Sequence, residues 1–228
     1  MPAARTPAKA TRKPAAEMAA CREVIEAALR MSRLGLSPGR SGNVSRRWRD
    51  GMLITPTGMP YDAIEPDDVV FVGASGDVRG KRKPSSEWRF HLSAYDARPE
   101  MLACVHTHST HAVVLACARR PIPAFHYMIA VAGGSEIPCV PYATFGTPEL
   151  ARHVASGLLR HDACLMANHG QIALGTSLER ALELAAEVEV LAEQYCKLLM
   201  LGKPHLLNDA EMAEVLERFK SYGQNAQS

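Results

Sequence analysis

Two histidines of this sequence have the spacing of metal ligands. His106 and His108 flank a single threonine at the end of a predicted strand, and alternate strand residues point to one face. Both imidazoles are therefore expected to reach a single ion. A His-x-His pair alone is better explained by two polar side chains at a strand end that are hydrogen-bonded to backbone or water. His111 follows where a helix is predicted to begin.

Two further features favour the metal interpretation. His169 directly follows a short apolar strand, Ala163 to Met166, and so also lies at a strand end. Glu87 stands at a predicted helix start behind two serines. Three neutral imidazoles that leave one coordination position open are typical of a catalytic zinc site. Three histidines do not select among divalent metals, so Mn²⁺ and Co²⁺ remain alternatives to Zn²⁺.

Three loops offer hydroxyls, an amide and approachable backbone N–H groups. They are Ser41-Gly-Asn43, Thr55-Pro-Thr-Gly58 and Pro84-Ser-Ser86. Such loops suit a phosphate dianion, above all at a helix N-terminus. Taken singly, each is typical of an ordinary turn, and none is a Walker A or dinucleotide-binding loop. Combined with a metal site, they favour a phosphorylated small molecule as the substrate.

The composition is that of one soluble globular domain. The chain has 228 residues, 47% hydrophobic and 22% charged, with a formal net charge of +2. Residues 1–17 carry +3 of that charge and the remainder −1, which argues against a nucleic-acid-binding surface. No apolar stretch approaches the ~18 residues of a membrane span, so no membrane partner is expected.

The N-terminal segment and the cysteines indicate a cytoplasmic protein. Residues 1–17 lack the hydrophobic run of a secretory signal and are predicted to be a disordered basic tail. The six cysteines include no C-x-x-C pair, and most lie in apolar segments. Buried thiols in a reducing compartment explain this pattern better than disulfides or a zinc ribbon.

The periodicity predicts alternating helices and strands in one mixed α/β domain. The predicted helices cover 18–34, 85–97, 111–119, 148–159, 176–201 and 208–219. The predicted strands are a hairpin around Asp50-Gly51 and the segments 69–72, 102–106, 163–166 and 171–174. Serine is expected to cap the second helix, and Thr176 with Glu179 to form a capping box. Asn208 with Glu211 is expected to form another.

Five ordered motifs resemble those of the class II aldolase/adducin family: Ser41-Gly-Asn-Val-Ser45, Ile54-Thr-Pro-Thr-Gly58, Lys83-Pro-Ser-Ser-Glu-Trp-Arg-Phe-His91, His106-Thr-His108 and Asn168-His-Gly170. The resemblance covers about residues 18–223 and leaves only the tail 1–17 and a flexible C-terminus, 224–228, outside. It implies a single α/β domain with a central, mostly antiparallel β-sheet flanked by helices. It also implies a homotetramer with sites at the subunit interfaces.

The resemblance assigns roles to individual residues. It implies that His106, His108 and His169 hold the metal, and that Glu87 is both a ligand and the catalytic acid/base. Tyr127 corresponds to a catalytic tyrosine lent by a neighbouring subunit, and Tyr222 to a C-terminal residue that contacts substrate. The positions implied to hold the substrate phosphate are Gly42, Asn43, Thr57, Gly58, Ser85 and Ser86.

The implied activity is zinc-dependent, reversible cleavage of a ketose 1-phosphate to dihydroxyacetone phosphate and a small aldehyde such as lactaldehyde. The sequence is most like members that cleave L-fuculose 1-phosphate. An aldolase for 5-deoxyribulose or 5-methylthioribulose 1-phosphate is an alternative with the same chemistry. A related epimerase carries aspartate at the position of Glu87, so the string Glu87-Trp-Arg-Phe-His91 favours an aldolase. A non-catalytic, adducin-like interaction module is an alternative of another class.

Overall fold

An eight-stranded sheet forms the centre of residues 13–220, the part of the chain that the computed structural model describes. The helices are α1 (Ala15–Arg33), α2 (Trp88–Ala97), α3 (Thr110–Cys117), α4 (Pro148–Leu158), α5 (Leu178–Leu201) and α6 (Asp209–Phe219). The strands are β1 (Asn43–Trp48), β2 (Gly51–Ile54), β3 (Val70–Gly73), β4 (Val78–Arg79), β5 (Ala103–Thr107), β6 (Ile122–Pro123), β7 (Glu136–Ile137), β8 (Cys139–Val140), β9 (Ala163–Met166) and β10 (Gly170–Gly175). Two 3₁₀ helices cover Tyr61–Ala63 and Tyr127–Ala132.

The sheet is mostly antiparallel, as the sequence predicts. Its strand order is β4-β3-β2-β1-β5-β10-β9-β8, and β6 pairs separately with β7. All neighbours in the large sheet run antiparallel except β8 and β9. The chain is therefore a single α/β domain with a mostly antiparallel central sheet flanked by helices, as expected.

Each face of the sheet carries its own hydrophobic core. Val105 of β5 packs in the core shared with α1, α3 and α5, whereas its neighbour Cys104 packs in the core shared with α2 and α4. Because strand residues alternate between faces, His106 lies on the same side as Cys104. The ring of Phe90 from α2 accordingly contacts His106, with the two centroids 5.2 Å apart.

The first helix begins earlier than the sequence indicates. It starts at Ala15, so residues 15–17, which were predicted to belong to a disordered tail, are helical. The Lys13 ammonium group donates to the carbonyls of Pro66 (2.8 Å) and Val69 (2.5 Å), and this anchors the segment on the domain. Glu17 in the first turn complements the helix dipole. Residues 1–12 of the predicted tail lie outside the described residues.

Two predicted helix caps are wrong in detail. The N-cap of α5 is Ser177, whose hydroxyl accepts from the Arg180 amide, so Thr176 and Glu179 do not form a capping box. Glu87, and not a serine, occupies the N-cap position of α2. The capping box of Asn208 and Glu211 is confirmed. Strands β4, β6, β7 and β8 have two residues each, too few to show the alternation by which strands are recognised.

The cysteines are all in the described part of the chain, and all six are free thiols. Burial raises the pKa of the Cys164 thiol far above its usual value. A thiol held protonated in this way is a small apolar side chain in the core. Within residues 13–220, no helix is both long enough and apolar enough to cross a bilayer.

Candidate active site

Four predicted ligand residues converge at one point on the α2 side of the sheet. One ligand atom from each of Glu87, His106, His108 and His169 lies within 4.8 Å of the others. The Nε2 atoms of His106 and His108 are 3.0 Å apart. The Glu87 carboxylate lies 3.2 Å from Nε2 of His106 through Oε2, and 2.9 Å from Nε2 of His169 through Oε1. The structure thus brings together the four side chains that the sequence singled out.

Paired strands hold the imidazoles in place. His106 lies in β5 between β1 and β10, opposite Asn43 on one side and Ile172 on the other. His108 follows two residues later on the same face. His169 lies in the tight turn from β9 to β10, where Asn168 adopts a positive φ of 55° and its side-chain oxygen accepts from Arg119 (3.0 Å). Asparagine tolerates this left-handed conformation better than most residues.

A backbone carbonyl fixes the tautomer of His106. Its Nδ1–H donates to the Gln171 carbonyl at 2.7 Å, so the Nε2 lone pair faces the cluster. The Gln171 side chain is held in turn by hydrogen bonds to the Ser109 hydroxyl (3.0 Å) and the Ala185 carbonyl (2.9 Å). Outer contacts of this kind orient metal-binding histidines.

The donor set fits a divalent cation. Glu87 is 5% exposed, and its buried Oε1 lies 2.9 Å from Nε2 of His169 but outside the geometry of a hydrogen bond. Burial, with the neighbouring imidazoles of His106 and His169, lowers the pKa of His108 to about 3, so its imidazole is neutral, as a metal ligand must be. Burial alone would raise the pKa of Glu87. The opposite effect of the adjacent His106 and His169 is larger, so the pKa is lowered and this carboxyl is ionised. An ionised carboxylate facing three imidazoles is a metal-binding arrangement.

The three hydroxyl- and glycine-bearing loops are tied together beside the cluster. The Thr57 amide donates to the Lys83 carbonyl (3.2 Å), and the Ser85 amide to the Thr55 carbonyl (3.0 Å). The Thr55 hydroxyl accepts from the Val44 amide (3.2 Å). These bonds join loops from three separate parts of the chain into one surface.

Only part of the predicted phosphate-binding set faces solvent. Thr57, Gly58 and Ser86 are exposed, whereas Gly42, Asn43 and Ser85 are buried. The Gly42 amide donates to the Ser37 hydroxyl (2.6 Å), and the Asn43 side chain is bonded to Glu87 and His91. A ligand approaching these loops would meet Thr57, Gly58 and Ser86 first.

A cavity of about 270 Å³ opens over the cluster. Its lining residues are Ser86, Glu87, His108, Tyr142, Ala143, Phe145, Asn168 and His169. Tyr142 and Phe145 are 52% and 63% exposed and form its apolar rim. The sequence did not single these two residues out for the site, because nothing local in the segment 138–146 distinguishes a cavity wall from a surface loop.

Two other residues that the sequence analysis named, Tyr127 and His111, lie away from this cavity, and a third, Tyr222, is not among the described residues. Tyr127 is half-exposed and stacks on His126, with the centroids 4.7 Å apart, and it does not line the cavity. His111 lies in α3 and pairs with Glu189 (2.8 Å), so it does not join the cluster. Tyr222 lies outside the described residues.

Gly170, the residue after His169, has no room for a side chain. A Cβ there would lie 2.4 Å from the Thr107 carbonyl oxygen and 3.0 Å from Cδ2 of His108. We expect Gly170→Ala to destabilise the fold by about 1–3 kcal/mol through overpacking. Because the clash displaces His108, we also expect metal affinity to fall about 10–100-fold. Urea unfolding and competition with a chelating dye measure the two effects.

The control for this prediction is Gly35→Ala, where a Cβ meets nothing within 4 Å but φ is +70°. Backbone strain should cost about 1–2 kcal/mol of folding free energy there. The affinity of the Gly35 variant for metal should equal that of the wild type. Unchanged metal affinity in Gly170→Ala would show that His108 is not held by this close contact.

Comparison with known proteins places the chain among aldolases. The model of the Class II Aldolase and Adducin N-terminal domain matches residues 22–196. An Escherichia coli (strain K12) protein named L-fuculose phosphate aldolase is 52% identical over 203 residues, which cover 89% of this chain and 94% of that protein. A Rhodospirillum rubrum protein named 5-methylthioribulose-1-phosphate/5-deoxyribulose-1-phosphate aldolase is 50% identical over 214 residues, 94% of this chain and 97% of that protein.

A solved structure agrees with the sequence comparison. The structure of an L-fuculose 1-phosphate aldolase is 40% identical and superposes with a TM-score of 0.85, covering 89% of this chain and 96% of that one. The non-catalytic alternative has no support in these comparisons. Because the family model covers most of the chain and the relatives match it almost from end to end, the chain belongs to the class II aldolase and adducin family, and it is a class II aldolase.

Proposed function

We propose that this protein is a zinc-dependent aldolase that reversibly cleaves a ketose 1-phosphate of the L-fuculose 1-phosphate type. The products are dihydroxyacetone phosphate and a small aldehyde such as lactaldehyde. The observation that carries the proposal is the cluster of three imidazoles and a buried carboxylate at the floor of an open cavity. The tied loops beside it offer the exposed Thr57, Gly58 and Ser86 to a phosphate.

The residues supply what a retro-aldol cleavage requires. The C3–C4 bond breaks, the C4 hydroxyl loses its proton, and the electron pair moves towards the C2 carbonyl. Zinc held by His106, His108 and His169 would act as a Lewis acid towards that carbonyl. Glu87 delivers a proton to C3 to complete dihydroxyacetone phosphate, and removes that proton in the reverse direction.

A tyrosine from another subunit completes this scheme. Tyr127 is exposed and lies outside the cavity of its own chain. In the proposed homotetramer, Tyr127 of a neighbouring subunit reaches the site, accepts the proton of the C4 hydroxyl during cleavage and returns it to the alkoxide that forms in the reverse, addition direction. Tyr222 would contact substrate from the C-terminal segment. Manganese or cobalt in place of zinc would leave these roles unchanged.

A second candidate substrate keeps the same chemistry. The relative from Rhodospirillum rubrum carries the name of an aldolase for 5-methylthioribulose and 5-deoxyribulose 1-phosphates and is almost as similar as the fuculose enzyme. The apolar rim of Tyr142 and Phe145 suits the apolar end of lactaldehyde, and it suits the methyl or methylthio end of the other two substrates equally well. Only the aldehyde end distinguishes these substrates.

A panel of the three ketose phosphates tests the proposal. Release of dihydroxyacetone phosphate is followed with a coupled dehydrogenase, and kcat/KM is compared across the panel. We expect L-fuculose 1-phosphate to be preferred by about 10-fold or more, the scale on which an apolar pocket distinguishes such groups. Preference for the methylthio or deoxy substrate would support the second candidate. Failure of all three to release dihydroxyacetone phosphate would contradict both.

A further inference from the structure

Five buried polar groups form a continuous hydrogen-bonded chain that ends at Glu87. The Tyr95 hydroxyl lies 2.9 Å from the Ser45 hydroxyl, which lies 2.7 Å from Nδ1 of His91. Nε2 of His91 lies 2.5 Å from Oδ1 of Asn43, whose Nδ2 donates to Oε2 of Glu87 at 3.0 Å. None of the five residues is more than 5% exposed.

The fold places these residues in line. Asn43 and Ser45 are alternate residues of β1 and point to the same face of the sheet. His91 and Tyr95 are one turn apart on α2, so both point towards that face. The chain therefore links the strand beside β5 to the helix that begins at Glu87.

Chemistry fixes the direction of every hydrogen bond. An ionised carboxylate only accepts, so Asn43 must present Nδ2 to Glu87 and Oδ1 to His91. His91 must then carry its proton on Nε2, which leaves the Nδ1 lone pair to accept from Ser45. The Ser45 oxygen accepts from Tyr95 in turn. All the protons point towards Glu87.

Burial makes the opposite orientation of these hydrogen bonds unfavourable. It lowers the pKa of His91 to about 3, so the imidazole is neutral and has one N–H to place. Rotating the Asn43 amide by 180° would set its oxygen against the Glu87 carboxylate and its NH₂ group against the N–H of His91. In a medium of low dielectric, two such unsatisfied contacts are costly.

We propose that His91 is a positioning residue for Glu87 and acts through the Asn43 amide. Its Nε2–H holds Oδ1 of Asn43, so that Nδ2 holds one carboxylate oxygen while the other faces His169 and the cavity. Both polar atoms of the Asn43 side chain are thereby engaged, Oδ1 with His91 and Nδ2 with Glu87. The proposal rests on the proposed function, which gives Glu87 its task as proton carrier.

Variants at position 91 test the proposal through kcat. The amide nitrogen of glutamine reaches the place of Nε2, whereas that of asparagine reaches only the place of Nδ1. We expect His91→Asn and His91→Phe to lower kcat about 10–100-fold, with KM within about 3-fold and the metal content unchanged. His91→Gln should restore kcat to within about 5-fold of the wild type. Tyr95→Phe, which removes only the far end of the chain, is the control and should stay within about 3-fold.

A double-mutant cycle separates positioning from general support of the fold. If His91 acts through Asn43, His91→Asn should lower kcat less than about 2-fold further in an Asn43→Ala background. Additive losses, or equal losses of metal and activity in His91→Asn, would overturn the proposal.

A measurement on the wild type needs no substrate. In the zinc-loaded protein with ¹⁵N-labelled histidine, the His91 ring should be neutral with its proton on Nε2, and His91→Gln identifies its signal. A proton on Nδ1, or on both nitrogens, would overturn the direction of the chain even if the enzyme were fully active. If no ketose phosphate is cleaved but this tautomer is observed, the proposed function fails and the hydrogen-bonded chain stands.

Discussion

Replacing Glu87 with glutamine is expected to lower kcat about 10²–10⁴-fold, the usual contribution of general acid–base catalysis, while leaving most of the metal bound. Glutamine has nearly the same shape, and its amide oxygen can still accept from Nδ2 of Asn43. It cannot exchange a proton with substrate. The three imidazoles remain, and three histidines suffice to hold a catalytic zinc ion.

Turnover and metal content per subunit, the latter by elemental analysis, are measured on the same sample. Glu189→Gln is the matched control, because Glu189 is another carboxylate paired with a histidine, His111. It binds the first amides of α3 and lies outside the cavity. That variant should lose stability and keep kcat within about 3-fold. Parallel loss of metal and turnover in Glu87→Gln would make Glu87 a structural ligand only.

Removal of the metal by a chelator is expected to lower kcat about 10³-fold or more. A metal ion contributes several kcal/mol to the stabilisation of developing charge, and each 1.36 kcal/mol corresponds to a factor of ten. The melting temperature should fall as well, since a ligand that binds only the folded state stabilises it.

Restoration of activity by Zn²⁺, with Mn²⁺ and Co²⁺ compared, shows that the loss came from the metal. Borohydride added with substrate is the complementary test, since it traps the Schiff base of a lysine-dependent aldolase. No adduct is expected in the mass spectrum of the intact protein. Undiminished turnover in metal-free protein, or a trapped adduct at a lysine such as Lys83, would contradict the metal-dependent mechanism.

The parts of the fold that follow from local pattern were predictable from the sequence. The hairpin around Asp50-Gly51, the strand Ala163–Met166 and the capping box of Asn208 each have a signal within a few residues, and the structure contains all three. The spacing of His106 and His108 predicted a shared face for the same reason. The cap of α5 is Ser177 and not Thr176, because both are hydroxyl residues and the sequence signal for a helix N-cap does not distinguish between two neighbours.

The contacts that support the site were not predictable in this way. His91 stands in a motif that the sequence identifies, but its partners are Asn43 and Ser45, which lie 48 and 46 residues away. Only the pairing of β1 with β5 and the packing of α2 over the sheet bring them together. Tyr142 and Phe145 also lie far along the chain from Glu87 and His108, so their place in the cavity wall required the structure as well.

The cavity is lined both by residues of regular secondary structure and by residues of an irregular segment. His106 and Glu87 are anchored by a central strand and the start of a helix, whereas Tyr142, Ala143 and Phe145 belong to an irregular segment between β8 and α4. Substitutions in that segment change the wall without shifting the register of any strand. For the substrates that we propose, preference can therefore change through a few replacements in this wall while the reaction is kept, and relatives named for different ketose phosphates are 52% and 50% identical to this chain.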